Sequence, residues 1–210
     1  MTEATDKDAK RIGDYLACSR PLLQNAVKKQ GQELKRASKA RPLGEILLED
    51  GYVSRDELDA AVQRQRRDRL RRCPVFSTLS DMELSAISTR FTEVSVPPGR
   101  QFIIQDEQDP TLYVIAAGRV EVYRTTLDGK HIHIADVGPP EPIGEMGYFQ
   151  GGIRTASVRA IDAAELLRAD YNALSHYFEH VPRVAHEFMR IVDRRRRATE
   201  QVMTQPQASA

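Results

Sequence analysis

Cysteine is scarce in this sequence of 210 residues, and the two cysteines show no pattern of a metal or redox site. Cys18 and Cys73 do not form a CxxC pair, and no other ligand-type residues cluster around either of them. The amino terminus, MTEATDKDAK, is polar and differs in composition from a secretory signal peptide. We therefore predict reduced thiols, no metal or other cofactor, and a cytoplasmic location.

Long hydrophobic runs and catalytic motifs are also missing. No apolar segment approaches the roughly 20 residues that a membrane-spanning helix requires. No Walker phosphate loop, GxSxG nucleophile elbow or HExxH metal-binding pair occurs. His131 and His133 share one face of a predicted strand, but no third ligand lies nearby in the sequence, which favours a packing or surface role. The sequence therefore predicts neither a membrane span nor an enzyme.

Charge is nearly balanced overall, but it is unevenly distributed along the chain. The formal net charge is +1, and residues 1–74 carry 17 Lys and Arg against 12 Asp and Glu. A basic excess of this size is more typical of a solvated helical surface than of a nucleic-acid site. The run from Arg194 to Arg197 ends a predicted amphipathic helix, where cations interact favourably with the helix dipole.

The region before residue 74 has a helical hydrophobic pattern with a weak internal repeat. In its clear copy, PLGEILLEDGYVSRDELDAAVQRQ, Gly51 is placed to end one helix in the left-handed conformation. Ser54 and Glu57 then have the spacing of a capping box at the start of a second helix. The earlier segment RIGDYLACSRPLLQNAVKKQ is a degenerate copy of this pattern.

From Pro74 onward, short β-branched and aromatic runs alternate with turn residues, a spacing typical of a jelly-roll-like sandwich or barrel. The predicted strands are FTEVSV, QFIIQ, TLYVIAAG, RVEVYRTT, HIHIADV, ASVRA and AELLRAD. After Asp170 the helical period returns, with an apolar stripe of Val184, Phe188, Ile191 and Val192. We predict an α+β fold: an antiparallel β-roll with flanking helices and a small N-terminal helical domain. The predicted organisation is a disordered segment (1–10), a helical docking module (11–73), a β-roll domain with its C-terminal helix (74–203) and a disordered tail (204–210).

The segment IGEMGYFQGGIRTASVRA combines residues suited to binding rather than catalysis. A cyclic phosphodiester is a permanent monoanion, and Arg154 together with backbone amides after Glu145 supplies a guanidinium and a helix start to bind it. The Glu145 carboxylate can accept a hydrogen bond from a ribose hydroxyl group. Gly144 and Gly147 permit close approach of the backbone. The pattern therefore predicts a cyclic-nucleotide site.

These residues resemble the phosphate-binding cassette of the cyclic-nucleotide-binding domain family, which includes catabolite activator protein and the regulatory subunits of cyclic AMP-dependent protein kinase. The family pattern is Phe/Ile-Gly-Glu-Leu-Ala, a short helix, and then Arg with a small residue and Ala. The resemblance also covers PVFSTLSDMEL and LYVIAAGRVEVYR, and it spans about half of the chain. The residues that match the cassette pattern are Ile143, Gly144, Glu145, Met146, Gly147, Arg154, Thr155 and Ala156.

The resemblance implies a role for each of these positions. Glu145 would bind ribose, Arg154 would bind phosphate, and Thr155 would add a hydroxyl group near the phosphate and the base. The implied base pocket is lined by Val122, Ile134 and Met146, which are apolar, so cyclic AMP and cyclic GMP both remain open as ligands. The complete predicted ligand site is Val122, Ile134, Gly144, Glu145, Met146, Gly147, Arg154, Thr155 and Ala156.

The sequence departs from the family pattern at three positions close to the cassette. Asp106 replaces the usual glycine in the turn after Ile104, and Pro140 replaces a glycine before the cassette. Ile153 stands where proline often precedes the arginine. None of these departures removes a ligand contact, so the prediction of binding is retained.

The repeat before residue 74 resembles the N-terminal domain of type II secretion and pilus ATPases, whose tandem motif can bind cyclic di-GMP. Only one copy of the motif is intact here, and Pro42 displaces Arg41 by one position. Binding at this motif would require two good copies, so a helical docking module is the favoured interpretation. The residues that follow the motif are Leu43, Gly44, Leu47, Gly51, Leu58, Val62 and Gln65.

The favoured function is a cyclic AMP or cyclic GMP sensor, or a regulatory adaptor, in which the helix after Pro182 moves to cover the base. The N-terminal helices would pass this change to a protein partner, and the chain could also form a homodimer. A transcription factor of the catabolite activator type needs a helix-turn-helix after the long helix, where only a polar tail is present, so no sequence-specific DNA partner is expected. The alternatives are a cyclic di-GMP receptor that uses the N-terminal motif and a ligand-free interaction scaffold.

Overall fold

The computed structural model describes residues 10–36 and 41–204, and these residues divide into two compact units. The first unit extends to Asp68 and the second begins at Arg69. The predicted disordered ends, 1–10 and 204–210, lie outside the described residues except for residues 10 and 204 themselves.

The first unit is helical, as its sequence period predicts. A short 3-10 helix, Ile12–Tyr15, precedes the α-helices α1 (Arg20–Arg36), α2 (Leu43–Glu49) and α3 (Arg55–Arg72), and the last four residues of α3 belong to the second unit. The predicted capping box is present: Glu57 N donates to Ser54 Oγ at 3.2 Å, and Ser54 N donates to Glu57 Oε2 at 2.8 Å. Gly51 has a φ of 69°, so the predicted left-handed end of α2 is also confirmed.

The N-terminal motif residues of this unit are used for helix packing. A Cβ atom on Gly44 would lie only 2.7 Å from Leu58 Cδ1, so this glycine allows α2 and α3 to approach closely. Ile46 and Leu47 are fully buried in the same small core. Arg41 forms ion pairs with Glu33 and Glu49, so its charge already has partners within the unit.

The second unit contains the β-roll, and the α+β fold prediction is confirmed. Helix α4 (Asp81–Ser88) begins at the predicted Ser80 capping box, and α5 (Tyr171–His180) and α6 (Pro182–Thr204) follow the strands. In the described residues the strands form two four-stranded sheets, ordered β1-β8-β3-β6 and β2-β7-β4-β5, and all the strand pairs are antiparallel. The strands are β1 (Thr92–Val96), β2 (Gln101–Ile103), β3 (Thr111–Ala117), β4 (Val120–Thr125), β5 (His131–Val137), β6 (Pro142–Ile143), β7 (Ser157–Ala160) and β8 (Ala164–Asp170).

Seven of these strands match the predicted runs, and β6 was missed. It contains only two residues and begins with a proline, so neither alternation nor β-propensity could identify it. Its pairing with Tyr113 and Val114 on β3 places the start of the cassette against the first sheet. The strand that the sequence does not reveal is therefore the one that leads into the predicted site.

Helix α6 packs on the roll through the apolar stripe that the sequence predicts. Val184, Phe188, Ile191 and Val192 are all buried. Phe188 stacks on Phe178 of α5 with ring centroids 4.1 Å apart. Burial of these side chains provides the main stabilisation of α6, because each large apolar residue contributes about 1.5 to 3 kcal/mol when removed from water.

Candidate functional site

A single cavity in the second unit brings the predicted site residues together. Its walls are mainly aliphatic side chains from β4, β5 and β7, and the cassette forms one side. All nine predicted residues contribute to the lining: Val122, Ile134, Gly144, Glu145, Met146, Gly147, Arg154, Thr155 and Ala156.

The local structure of the cassette turns the chain so that Arg154 lines the cavity. Gly144 has a φ of 90° and precedes a 3-10 helix, Glu145–Gln150. Gly151 and Gly152, with φ values of 63° and 91°, end this helix. A Cβ atom on Gly144 would overlap Arg154 Nη1, so glycine is needed here for the arginine as well as for the backbone conformation.

Arg154 is almost completely enclosed, with 2% of its surface exposed. Its Nη2 atom donates to Asp109 Oδ2 at 2.7 Å, to the Thr111 carbonyl oxygen at 2.8 Å and to Thr111 Oγ1 at 2.7 Å. Its Nη1 atom donates to the Gly144 carbonyl oxygen and to Tyr171 Oη, each at 3.2 Å. The guanidinium group is therefore fixed by one carboxylate and several neutral acceptors.

One donor of Arg154 is left over. Its Nε atom is buried and has no hydrogen-bond partner among the residues that the structure describes. Leaving such a donor buried without an acceptor costs about 1 to 3 kcal/mol or more for a charged group. Because Arg154 also lines the cavity, an anionic group bound there could supply the acceptor that this donor lacks.

Glu145 is the second enclosed charged group of the site, with 3% of its surface exposed. Its Oε2 atom accepts a hydrogen bond of 2.9 Å from Arg195 Nη1 of helix α6. The same Nη1 atom donates to the Pro142 carbonyl oxygen at 2.6 Å, and Arg195 Nη2 donates to Glu141 Oε2 at 3.0 Å. Arg195 therefore joins α6 to both carboxylates at the start of the cassette.

Sequence reasoning missed two groups of site residues. Arg195, Ala198 and Thr199 of α6 line the cavity, although the sequence indicated only that this helix covers the site. Asp109, Thr111 and Tyr171 contact Arg154 from outside the lining and lie far from it in the chain. The only sequence signal for the second group is indirect: an enclosed arginine requires acceptors, and the sequence does not say which.

The departures from the family pattern are accommodated locally. Asp106 has a φ of 65°, so it adopts the left-handed conformation that normally favours glycine. Its backbone N–H donates to the Arg154 carbonyl oxygen at 2.8 Å. Ile153 is 46% exposed and forms a β-bridge with Gln108, while the peptide before Pro140 is cis.

The two histidines of β5 have an acidic neighbour that their sequence surroundings do not reveal. His131 Nε2 lies 2.9 Å and His133 Nδ1 lies 3.3 Å from Oε1 of Glu121 on β4. Burial opposes ionisation of Glu121, but hydrogen bonds from His131, Arg159 and His133 lower its pKa to about 2. No group of metal-ligating residues with suitable geometry occurs in the part of the chain that is described.

Comparison with known proteins concerns the domain that contains this cavity. Residues 93–180 match the family described as "Cyclic nucleotide-binding domain". The cyclic AMP receptor protein of Thermus thermophilus is 34% identical over 130 residues, which cover 60% of this chain and 59% of that protein. The CRP-like cAMP-activated global transcriptional regulator of Mycobacterium tuberculosis is 27% identical over 62% of this chain and 58% of its own length. A crystal structure of the N-terminal domain of a transcriptional regulator from Streptomyces coelicolor has 33% identity and a TM-score of 0.51, over 68% of this chain and all of that domain.

The antiparallel roll holds an enclosed arginine beside the cavity, and most of this roll lies within the matched residues 93–180. With the family match and these relatives, the chain is identified as one that carries a cyclic nucleotide-binding domain. The comparisons do not support the resemblance of the N-terminal segment to secretion ATPases. These two curated relatives are named as a receptor and a regulator, and this chain spans about three fifths of their length.

The partner prediction is wrong. It excluded sequence-specific DNA and assigned a protein partner to the N-terminal helices, whereas relatives of this chain are named as transcriptional regulators. The exclusion depended on the polar segment that follows α6. Because this chain matches only 58% and 59% of the length of the curated relatives, its ending carries no information about a DNA-binding element. The described residues include no helix that is both long and apolar enough to cross a membrane.

Proposed function

We propose that this chain senses a cyclic mononucleotide, which binds in the cavity with its phosphate on Arg154 and its ribose on Glu145. The observation that carries the proposal is the unpartnered Nε atom of the enclosed Arg154. A cyclic phosphodiester carries one negative charge and has two free oxygens that can accept such a donor. The remaining guanidinium contacts can stay in place when the phosphate binds.

The surroundings of Arg154 support this assignment of the ligand. Glu145 provides a buried acceptor on the same cassette, which suits a ribose hydroxyl group. Val122 and Ile134 add an apolar wall to the same cavity, which suits the face of a base. The cavity therefore offers one charged donor, one charged acceptor and an apolar surface, in agreement with the three parts of a nucleotide.

Cyclic AMP is the ligand that the relatives favour, because two of them are named for it. Cyclic GMP stays as the second candidate because of Thr155, whose side chain lines the cavity. The Thr155 hydroxyl lies 3.8 Å from the Met146 sulphur, which is a weak acceptor, so it can exchange this contact for one with a base. We propose binding of both nucleotides by a regulatory domain that is not itself an enzyme.

Helix α6 is the proposed output element. Arg195 contacts Glu145, the carboxylate assigned to ribose, and Thr199 lines the same cavity. A ligand that reaches Glu145 must therefore change the contacts of α6, and it can shift the position of α6 to the extent that it binds the two arrangements differently. The cytoplasmic location expected from the sequence is compatible with this role as an intracellular sensor.

The test is an isothermal titration panel with cyclic AMP, cyclic GMP and cyclic di-GMP on the full chain. We expect saturable binding of both mononucleotides at one site, and no binding of cyclic di-GMP. Failure of both mononucleotides to bind the folded protein would refute the proposal. Binding of cyclic di-GMP alone would instead favour the N-terminal motif as the receptor site.

A further inference from the structure

Tyr171 lies outside the cavity, but its hydroxyl group contacts two residues of the cassette, Gly144 and Arg154. It is the first residue of α5 and is 5% exposed. Its hydroxyl group donates to the Gly144 carbonyl oxygen and accepts a hydrogen bond of 3.2 Å from Arg154 Nη1. Its backbone N–H donates to the Pro110 carbonyl oxygen at 2.8 Å, which fixes the start of the helix. Tyr171 is therefore connected to the cavity only through other residues.

Gly147 provides the space that the Tyr171 hydroxyl group occupies. A Cβ atom on Gly147 would lie 2.9 Å from Tyr171 Oη and 3.2 Å from the Ile153 carbonyl oxygen. Gly147 is not among the glycines with positive φ, so its backbone conformation does not require glycine. The closest obstacle to a larger residue at this position is thus the tyrosine hydroxyl group itself.

The phenol is protonated under ordinary conditions, as its role as a donor requires. Burial raises the pKa of Tyr171, and the positive charge of Arg154 opposes this shift only in part. The neutral hydroxyl can then donate to Gly144 and accept from Arg154 at the same time. These two contacts use the Arg154 donor Nη1 and leave Nε as the donor without a protein partner.

We propose that Tyr171 is a positioning residue for the phosphate-binding arginine, and that Gly147 is small in order to admit its hydroxyl group. By holding Arg154 Nη1 and the Gly144 carbonyl together, Tyr171 keeps Nε available to the phosphate. It also makes the first residue of α5 part of the phosphate site. This inference rests on the proposed function, because it assigns the support of a phosphate site.

The first experiment compares Tyr171→Phe with the control Tyr177→Phe by calorimetric titration with cyclic AMP. Tyr177 lies on the same helix and is partly buried, but its hydroxyl group makes no hydrogen bond to the cassette among the described residues. We expect Tyr171→Phe to weaken binding about tenfold, the equivalent of one hydrogen bond to a charged group. The control should bind like the original protein.

The second experiment is a double-mutant cycle with Gly147→Ala. Alone, this change should weaken binding more than Tyr171→Phe does, because its methyl group displaces the hydroxyl and with it Arg154. When Phe replaces Tyr171, most of this obstacle is removed, so adding Gly147→Ala should cost about threefold or less. Additive losses in the cycle would show that Gly147 serves the backbone and not the tyrosine. Thermal unfolding of each ligand-free variant verifies that it is folded.

A spectroscopic measurement distinguishes positioning from general stabilisation. The Nε–H resonance of Arg154 can be assigned in ¹⁵N NMR spectra by its loss in Arg154→Lys, and cyclic AMP should shift it in the original protein. In Tyr171→Phe this shift should be reduced, whereas in Tyr177→Phe it should be retained. If the original protein binds cyclic AMP and Tyr171→Phe shows the same affinity and the same shift, the inference about Tyr171 is wrong while the proposed function stands. If the original protein binds neither mononucleotide, both are wrong.

Discussion

Arg154 and Arg159 lie five residues apart in the chain, on either side of the start of β7, and they have opposite surroundings. The Arg159 side chain is 46% exposed, and its Nε and Nη2 atoms both donate to Glu121 Oε2. The Arg154 side chain is 2% exposed, and its Nε atom has no partner among the described residues. Arg159 therefore forms an ion pair in which the arginine is half exposed and the carboxylate is largely buried, whereas Arg154 has an unpartnered donor inside a cavity.

This difference is the reason why the proposed function assigns the ligand to Arg154 and not to Arg159. Arg159 already donates to Glu121 from two nitrogen atoms and is open to water, so it gains little from an added anion. An enclosed guanidinium with an unpartnered donor is costly to maintain, and that cost is recovered when an anion binds. The expected effects of substitution follow the same difference: they are largest for the enclosed Arg154 and decrease for groups that are less enclosed or uncharged.

The largest effect is expected for Arg154→Ala, with Arg159→Ala as its matched control. Removal of Arg154 leaves a desolvated phosphate without its charged partner, so binding of cyclic AMP should weaken by about 2 to 5 kcal/mol. Arg159→Ala should leave the affinity unchanged, because Arg159 does not line the cavity. Calorimetry and circular dichroism on both variants provide the measurement, and equal affinities in two folded variants would contradict the site assignment.

A smaller effect is expected for Arg195→Ala, compared with Arg196→Ala on the next residue of α6. The Arg195 side chain is 17% exposed and bonds to Glu141 and Glu145, whereas Arg196 is 58% exposed and pairs with Asp193 on its own helix. Charge-assisted hydrogen bonds contribute about 1.5 to 3 kcal/mol. Hydrogen exchange over residues 183–200 should therefore accelerate in the first variant and not in the second.

Ligand binding provides the internal check on the Arg195 prediction. In the original protein, cyclic AMP should slow hydrogen exchange across α6, because the ligand stabilises one position of the helix over the cavity. This protection should be weaker in Arg195→Ala. Identical exchange of α6 with and without ligand would rule out this helix as the output element.

A still smaller effect is expected for Thr155→Ala, which removes a neutral hydroxyl group from the cavity wall. Cyclic GMP should lose about 1 kcal/mol more binding free energy than cyclic AMP, the net contribution of one neutral hydrogen bond. Side-by-side titrations of the two nucleotides measure this difference. Equal losses would mean that Thr155 does not contact the base.

The smallest effect concerns an exposed carboxylate and appears only in acid. Hydrogen bonds from the Ser80 side chain and backbone, together with Arg183, lower the pKa of Glu83 from 4.5 to about 2. Because the folded-state pKa is the lower one, this stabilisation is present above about pH 4.5 and is lost as the pH falls towards 2. Urea unfolding between pH 6 and pH 2 should show a shallower acid decline for Glu83→Gln. An unchanged pH profile would exclude a contribution from Glu83.

Much of the fold could be predicted because its signals are local. The strand runs are bounded by turn residues, and the cap of α4 requires only Ser80 and Glu83, which are three positions apart. Strand β6 could not be predicted, because its two residues are extended only through pairing with β3. The partner prediction failed for a different reason. It relied on where this chain ends, although the match covers only 59% and 58% of the length of two curated relatives.

The sequence by itself determined the α+β class, the strands of the roll and the cassette that contains Glu145 and Arg154, because these depend on residue types within short stretches of chain. Only the tertiary structure decided which groups surround that cassette. Asp109 and Tyr171 reach Arg154 across 45 and 17 positions, and Arg195 reaches Glu145 across 50. The physical reason is that an enclosed charge must be neutralised and hydrogen-bonded by groups that are close in space. Many distant polar residues in the sequence could satisfy this requirement, so the sequence does not select among them.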